Sequence, residues 1–226
     1  LGDMRRVLDG GLFTAIMPPR IRHYLLRITT HEGHVYEIED PYRFGQTLGD
    51  LDLYLLGEGS DKKIYNKLGA QLRTVMGVKG ARFSVWAPNA SRVSVVGDFN
   101  NWDGRRHSMR VHPANGRWEI FVPGISQGDR YKFELLDKNG KLLPLKTDPY
   151  GSYHEAPPGN ASIVYASQYD WQDHDWAGKR STVPDLDKPV SIYEVHLGSW
   201  RRNVDEGNRY LTYREFADEL VGYVQE

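Results

Sequence analysis

The 226-residue sequence contains no cysteine. That excludes a disulfide framework, thiolate catalysis and zinc held by thiolates. Neither sign of charge is in excess: 29 Lys and Arg stand against 30 Asp and Glu, a formal net charge of −1. With no block of like charges, nothing asks for nucleic acid or an anionic membrane surface as a partner. No apolar run approaches the ~20 residues that cross a bilayer, and no secretory leader is visible. The expectation is a cytoplasmic protein. No Gly-Lys-Ser/Thr follows Gly57 or Gly59, so a phosphate-cradling loop is not expected. No cofactor and no metal site are expected either.

Aromatic residues and turn signals are plentiful, with 14 Tyr, 6 Trp, 7 Phe, 23 Gly and 12 Pro. The chain is organised around Val93-Ser-Val-Val-Gly-Asp-Phe-Asn-Asn-Trp102-Asp-Gly. It begins with the alternation of a half-buried strand and breaks at Gly97-Asp98. Asn100-Asn101 and Asp103-Gly104 then give turn signals on both sides of Trp102. A Trp on such a tip can stay exposed. Its flat indole suits the C–H face of a sugar ring, and neighbouring Asn and Asp groups suit the hydroxyl rim. The segment alone leaves a second reading open, in which Trp102 caps a sandwich core.

The front of the chain reads as short strands near residues 12–17, 23–29 and 35–39, closed by Asp40-Pro41-Tyr42. These residues repeat later. Gly11-Leu-Phe-Thr-Ala-Ile-Met-Pro18 aligns with Gly116-Arg-Trp-Glu-Ile-Phe-Val-Pro123, and Tyr24-Leu-Leu-Arg-Ile28 with Tyr131-Lys-Phe-Glu-Leu135. Gly33 falls against Gly140, and Asp40-Pro41-Tyr42 against Asp148-Pro149-Tyr150. One β-sandwich therefore occurs twice. The first copy lacks the counterpart of residues 80–115, so truncation at the amino end is expected.

Between the copies, apolar positions at 48, 51, 53, 55 and 56 suggest a short helix ending in a turn at Gly57-Glu-Gly59. Ser60 is the candidate N-cap of one further helical turn over 61–67. The complete sandwich should place strands near 81–86, 92–97, 107–111, 117–122, 130–137, 142–146 and 161–166. Asn115-Gly116 and Asn139-Gly140 are its hairpin signals. Residues 167–188 are polar and read as a linker, in which Trp171 and Trp176 flank His174. The apolar run over 190–198 suits a buried parallel strand. Thr212 with Glu215 forms a capping box for a helix from Tyr213. A strand, a loop and one helix cannot close a domain, so residues 190–226 read as the first unit of a (β/α) barrel.

Ala81-Arg-Phe-Ser-Val-Trp-Ala-Pro-Asn-Ala90, followed by the Trp102 stretch, resembles a family 48 carbohydrate-binding module. Tyr193-Glu-Val-His-Leu-Gly-Ser-Trp-Arg-Arg202 resembles the first barrel strand of the 1,4-α-glucan (glycogen) branching enzymes. Glu39-Asp-Pro-Tyr-Arg-Phe-Gly45 and Leu48-Gly-Asp-Leu-Asp-Leu-Tyr-Leu-Leu-Gly-Glu-Gly59 are similar to the bacterial branching enzymes with two N-terminal sandwiches. Gln71 departs from that pattern, which usually has His there. Debranching and trehalose-forming α-glucan enzymes, and a stand-alone glycogen-binding module, are the alternatives.

The resemblance implies a mainly β chain. Two tandem immunoglobulin-like β-sandwiches, the first truncated, would precede the first β/α unit of a TIM barrel. Residues 1–66 would be the partial sandwich and linker, 67–175 the carbohydrate-binding sandwich, and 176–226 a linker and the start of a family 13 glycoside hydrolase (β/α)8 barrel. The implied partners are α-glucan (glycogen, amylose, maltooligosaccharides) and the missing catalytic barrel. The implied reaction cuts an α-1,4 linkage and transfers the chain to a 6-hydroxyl. Its two carboxyl groups, about 5 Å apart, belong to later barrel strands, so no catalytic residue is assigned here. For the sugar site, Trp102 would stack on glucose and Lys132 would reach hydroxyls. Asn160 stands near the position of a family Asn, and Asn101 is included for its adjacency. A second family Trp is missing, with Lys141 or Leu142 in its place.

Overall fold

The computed structural model describes residues 2–19, 21, 23–180, 189 and 191–226. It is mainly β, built from several antiparallel sheets and few helices. The chain divides into two compact units, residues 1–168 and 169–226.

The first unit opens with two ribbons. β1 (Arg5–Leu8) pairs with β2 (Leu12–Thr14), and β3 (Leu25–Thr29) pairs with β4 (Val35–Glu39). Their residues are mostly exposed, and among the described residues each ribbon is a separate two-stranded sheet. The strands expected near 23–29 and 35–39 are thus present, but among the described residues they form no sandwich. A two-stranded ribbon has one partner per strand and no opposing sheet to bury a face against.

α1 (Asp50–Glu58) follows and ends at Gly59, whose φ of 74° is the left-handed conformation that stops helices. The further helical turn is shorter than expected, a 3₁₀ turn at Ile64–Asn66. Its N-cap is Lys63, not Ser60, with no side-chain capping bond; Asp61 accepts from the Lys63 N–H at 2.9 Å just ahead of it.

The sandwich has two four-stranded sheets. In one, the order is β5 (Gly69–Val75), β6 (Val78–Trp86), β9 (Arg117–Pro123), β8 (Arg110–His112). In the other it is β11 (Tyr153–His154), β12 (Ser162–Ile163), β10 (Arg130–Asp137), β7 (Ala90–Gly97). Strand β5 was not foreseen. Residues 107–109 pair with β7, through Val95 N–H to His107 O at 3.1 Å and Met109 N–H to Val93 O at 2.8 Å. The same run then continues as β8 on β9, so it joins one sheet to the other. Residues 142–146 lie along β10 through bridges at Leu142 and Lys146 without forming a full strand.

Strand alternation makes the core. Ala81, Phe83 and Val85 of β6, Val93 and Val95 of β7, Trp118, Ile120 and Val122 of β9, and Tyr131 and Phe133 of β10 all face inward. Each Val, Ile or Phe among them contributes about 1.5–3 kcal/mol by leaving water.

The other face of β6 and β9 is buried too, by residues 44–68. Phe44 meets Phe121 edge-on at 4.7 Å between ring centroids. Glu119, 1% exposed, accepts from Thr47 N–H at 3.2 Å, Thr47 Oγ1 at 2.5 Å and Leu48 N–H at 3.2 Å, and meets His112 Nε2 at 2.9 Å. Arg117 donates to Leu56 O at 2.5 Å. Gln71 holds the 3₁₀ turn, donating to Tyr65 O at 3.0 Å and Leu68 O at 3.1 Å. The segment joining the two copies is therefore fastened to the sandwich.

The second unit contains α2 (His174–Lys179), α3 (Leu197–Trp200), a short ribbon of β13 (Arg202–Asn203) with β14 (Arg209–Tyr210), and α4 (Tyr213–Gln225). α4 starts as expected, with the Thr212–Glu215 capping box formed. The strand expected over 190–198 is not formed in its described residues. Residues 191–196 carry no regular structure, 197–198 begin α3, and position 190 lies outside the described residues. A parallel strand exists only through its ladder, and among the described residues of this unit no strand lies beside it. Instead Trp200 packs on Phe216 and Tyr223 at 5.4 and 5.7 Å, and its indole N–H donates to Tyr193 Oη at 3.0 Å. Glu194, Trp171 and Trp176 are exposed. No helix among the described residues is long and apolar enough to cross a membrane.

Candidate functional site

The candidate site lies on the outer face of the β11–β12–β10–β7 sheet. Tyr131 and Phe133 point into the core, so Arg130, Lys132 and Glu134 point out. At the end of β7 the chain turns through a 3₁₀ turn, Asp98–Asn100. Gly97 is required there by close approach: a Cβ would come within 2.1 Å of Arg130 O and 2.5 Å of the Phe99 ring. Asn100, 1% exposed, ties the turn together. Its Oδ1 accepts from Gly97 N–H at 2.9 Å, and its Nδ2 donates to Val95 O at 2.9 Å and lies 2.8 Å from His107 Nδ1. The first Asn of the Asn-Asn-Trp run is thus a scaffold residue.

Asn101 and Trp102 follow with φ of 56° and 58°, both left-handed, a conformation rare for a bulky residue. Asn101 is exposed. Trp102 is half-buried and lies outside the buried core cluster. The indole therefore does not cap the sandwich interior, which leaves it available at the surface. Its Nε1–H donates to Asp98 Oδ1 at 3.0 Å.

Asp98 is held in turn by Arg130, whose Nε reaches Oδ2 at 2.8 Å and whose Nη2 reaches Oδ1 at 3.1 Å. That fork holds the Asp98 carboxyl below its usual range, with the Trp102 N–H adding to the effect. The third arm of Arg130, Nη1, reaches Glu155 Oε1 at 2.9 Å. Glu155 Oε2 accepts the backbone N–H groups of Ala161 and Asn160 at 2.9 and 3.1 Å. Those bonds, the Ala161 one foremost, lower the Glu155 pKa. Asn160 Oδ1 accepts from Lys132 Nζ, and Asn160 O accepts from Thr147 Oγ1 at 2.8 Å.

Of the four expected sugar contacts, the structure brings Lys132 and Asn160 into direct contact. It links them to Trp102 through Asp98, Arg130 and Glu155, with Asn101 beside the indole. Those three connecting residues were missed in the sequence. Arg130 and Lys132 share a face by strand alternation, which was a usable signal, but Glu155 is brought in only by the fold. Among the described residues no group of His, Asp and Glu side chains could hold a metal ion.

The residues aligned as a repeat make matching contacts, buried at Tyr131 and part-buried at Tyr24. Tyr131 Oη donates to Asp148 Oδ2 at 2.7 Å, and Tyr150 N–H to Asp148 Oδ1 at 2.8 Å. In the first copy Tyr24 Oη donates to Asp40 Oδ2, and Tyr42 N–H to Asp40 Oδ1 at 2.9 Å. Burial pushes the Tyr24 phenol up to about 12, and pushes both Tyr131 and Asp148 upward.

Residues 67–151, which carry most of this face, match the family of carbohydrate-binding module 48, the isoamylase N-terminal domain. Nearly the whole chain is similar to 1,4-alpha-glucan branching enzymes named GlgB. That of Paramagnetospirillum magneticum is 52% identical over 98% of this chain. That of Rubrobacter xylanophilus is 53% identical over 99% of it. The chain spans 30% of the length of each of these relatives. Among solved structures, apo pullulanase from Klebsiella pneumoniae is 25% identical over 44% of this chain and 11% of its own, with a TM-score of 0.34.

Proposed function

We propose that this chain is the α-glucan-binding and domain-spacing part of a 1,4-α-glucan branching enzyme. Such an enzyme cleaves an α-1,4 linkage and transfers the freed chain to a 6-hydroxyl. Residues 67–175 are the binding sandwich, residues 1–66 part of a first sandwich with its linker, and residues 176–226 the approach to a family 13 glycoside hydrolase (β/α)8 barrel. The matched Tyr24–Asp40 and Tyr131–Asp148 contacts support the tandem reading. A cytoplasmic location belongs to the same proposal.

The observation that carries the glucan reading is the continuous link from Trp102 to the Lys132–Asn160 pair on one sheet face. The indole offers a flat apolar surface held on a short turn, so little side-chain freedom is lost on binding. Lys132, Asn160 and Asn101 supply donors and acceptors for hydroxyls. With so few groups, the affinity for a maltooligosaccharide is of the order of 0.1–1 mM. The test is a maltoheptaose titration of the chain beside its Trp102→Ala variant. Saturable binding that the variant loses supports the reading, and equal binding by both proteins sinks it.

A further inference from the structure

The same sheet face carries a second aromatic pair. Tyr153, on edge strand β11, stands opposite Ile163, and Ile163 stands opposite Arg130. Residues opposite one another in a ladder point to the same side. Tyr153 therefore shares the outer face with Arg130, and so does Glu155 two residues on, as its bond to Arg130 requires. Tyr165 lies two residues beyond Ile163. Its ring meets that of Tyr153 with centroids 5.3 Å apart and planes inclined by 33°. The two rings remain 53% and 38% exposed.

We propose that Tyr153 and Tyr165 form a second α-glucan subsite, so that the face grips an extended chain at two places. This rests on the glucan reading of Trp102. Two features select the ligand. The tilted pair exposes apolar ring surface beside a hydrogen-bonding rim of the Glu155 and Asp98 carboxylates and the Arg130 guanidinium, and the Asp98 end of that rim bonds Trp102. The strand order β11–β12–β10–β7 keeps the two platforms separate, with Tyr153 on the β11 edge strand and Trp102 on the turn that leaves β7. A neutral polymer of repeating apolar faces and hydroxyl edges matches two aromatic platforms joined by polar groups. The second platform thereby selects chain length: a short oligosaccharide occupies Trp102 alone, and a longer one reaches both.

The test compares maltotriose with maltoheptaose on the unchanged chain, on Trp102→Ala and on a Tyr153→Leu/Tyr165→Leu double variant. Leucine keeps apolar cover at the sheet edge but removes the flat rings. The double variant should bind maltotriose as the unchanged chain does and maltoheptaose about tenfold more weakly, as expected for truncated aromatic anchors. Undiminished maltoheptaose binding by the double variant, with Trp102→Ala inactive in binding, overturns the second subsite alone. Maltotriose binding that Trp102→Ala leaves undiminished overturns the glucan reading of Trp102 itself. Should the double variant fail to melt cooperatively, the ring resonances of Tyr153 and Tyr165 in the unchanged chain decide. They should shift on adding maltoheptaose but not maltotriose, and ring signals indifferent to maltoheptaose overturn the proposal.

Discussion

Trp102 donates its indole hydrogen to Asp98 at 3.0 Å, from a turn where it and Asn101 both adopt left-handed backbone. The bond fixes the ring from its polar edge and leaves its position independent of the sandwich core. Trp102→Ala should therefore remove detectable glucan binding while lowering stability by less than the roughly 3–5 kcal/mol typical of a core Trp. A thermal melt run beside the titration checks this. A collapsed transition would return Trp102 to a structural role.

The Arg130 fork is the next point of control. Lysine keeps the charge at Arg130 but cannot hold Asp98 and Glu155 with a planar fork. Arg130→Lys should weaken maltoheptaose binding several-fold with little change in melting temperature, because all three groups lie at the surface. Isothermal titration with a matched melt would register this. Unaltered affinity would mean that the Asp98 side chain needs no brace.

Protonation of His107 opposes the same turn. Its Nδ1 faces the Asn100 amide nitrogen at 2.8 Å, and only an unprotonated Nδ1 can accept from that donor. Burial, helped by the neighbouring Arg106, pushes its pKa from 6.5 down to about 4. Between those values the unfolded chain binds a proton on His107 and the folded chain does not. Stability should therefore fall as pH drops through this window, by about 1–3 kcal/mol from this residue, and the loss should level off below it. Chemical denaturation at pH 7, 5 and 4, with His107→Gln as control, measures the share that depends on the imidazole.

Glu119 fastens the connecting segment to the sandwich. Removing its carboxylate leaves His112 and the Thr47 and Leu48 donors facing a void, a loss of about 3–5 kcal/mol for a buried partner. Glu119→Ala should melt well below the unchanged chain and expose residues 44–58 to proteolysis. Resistance of that segment to chymotrypsin, whose sites there include Phe44 and Tyr54, would argue against the tether.

In the second unit, α3 and α4 bury no residue fully. Hydrogen exchange there should run close to the rate of an isolated capped helix, while the amides of β6, β7 and β9 exchange orders of magnitude more slowly. Equal protection would show that residues 197–226 have found further cover.

Local patterns in the sequence located the strands 92–97, 117–122 and 130–137, the Trp102 turn and the capped start of α4. Each depends on neighbours a few residues away: alternation for a strand, Gly and Asn for a turn, Thr and Glu three apart for a helix start. The Tyr24–Asp40 and Tyr131–Asp148 correspondence was also legible, because repeated residues make repeated contacts. Other features were not. Strand β5 looked like linker, since Gln71, Arg73 and Thr74 hide its alternation. The polar residues Arg82, Arg117 and Glu119 gave no sign that they face a covering segment.

What the sequence determined by itself was therefore a mainly β chain with one complete sandwich and an aromatic tip. Tertiary structure decided which groups meet. Arg130 reaches Glu155 across 25 residues and Asp98 across 32, and the outcome depends on strand order and register, which no local pattern encodes. The run over 190–198 shows the same limit from the other side. Its composition suits a buried strand, but a strand exists only through the ladder beside it, and the described residues of this unit supply none.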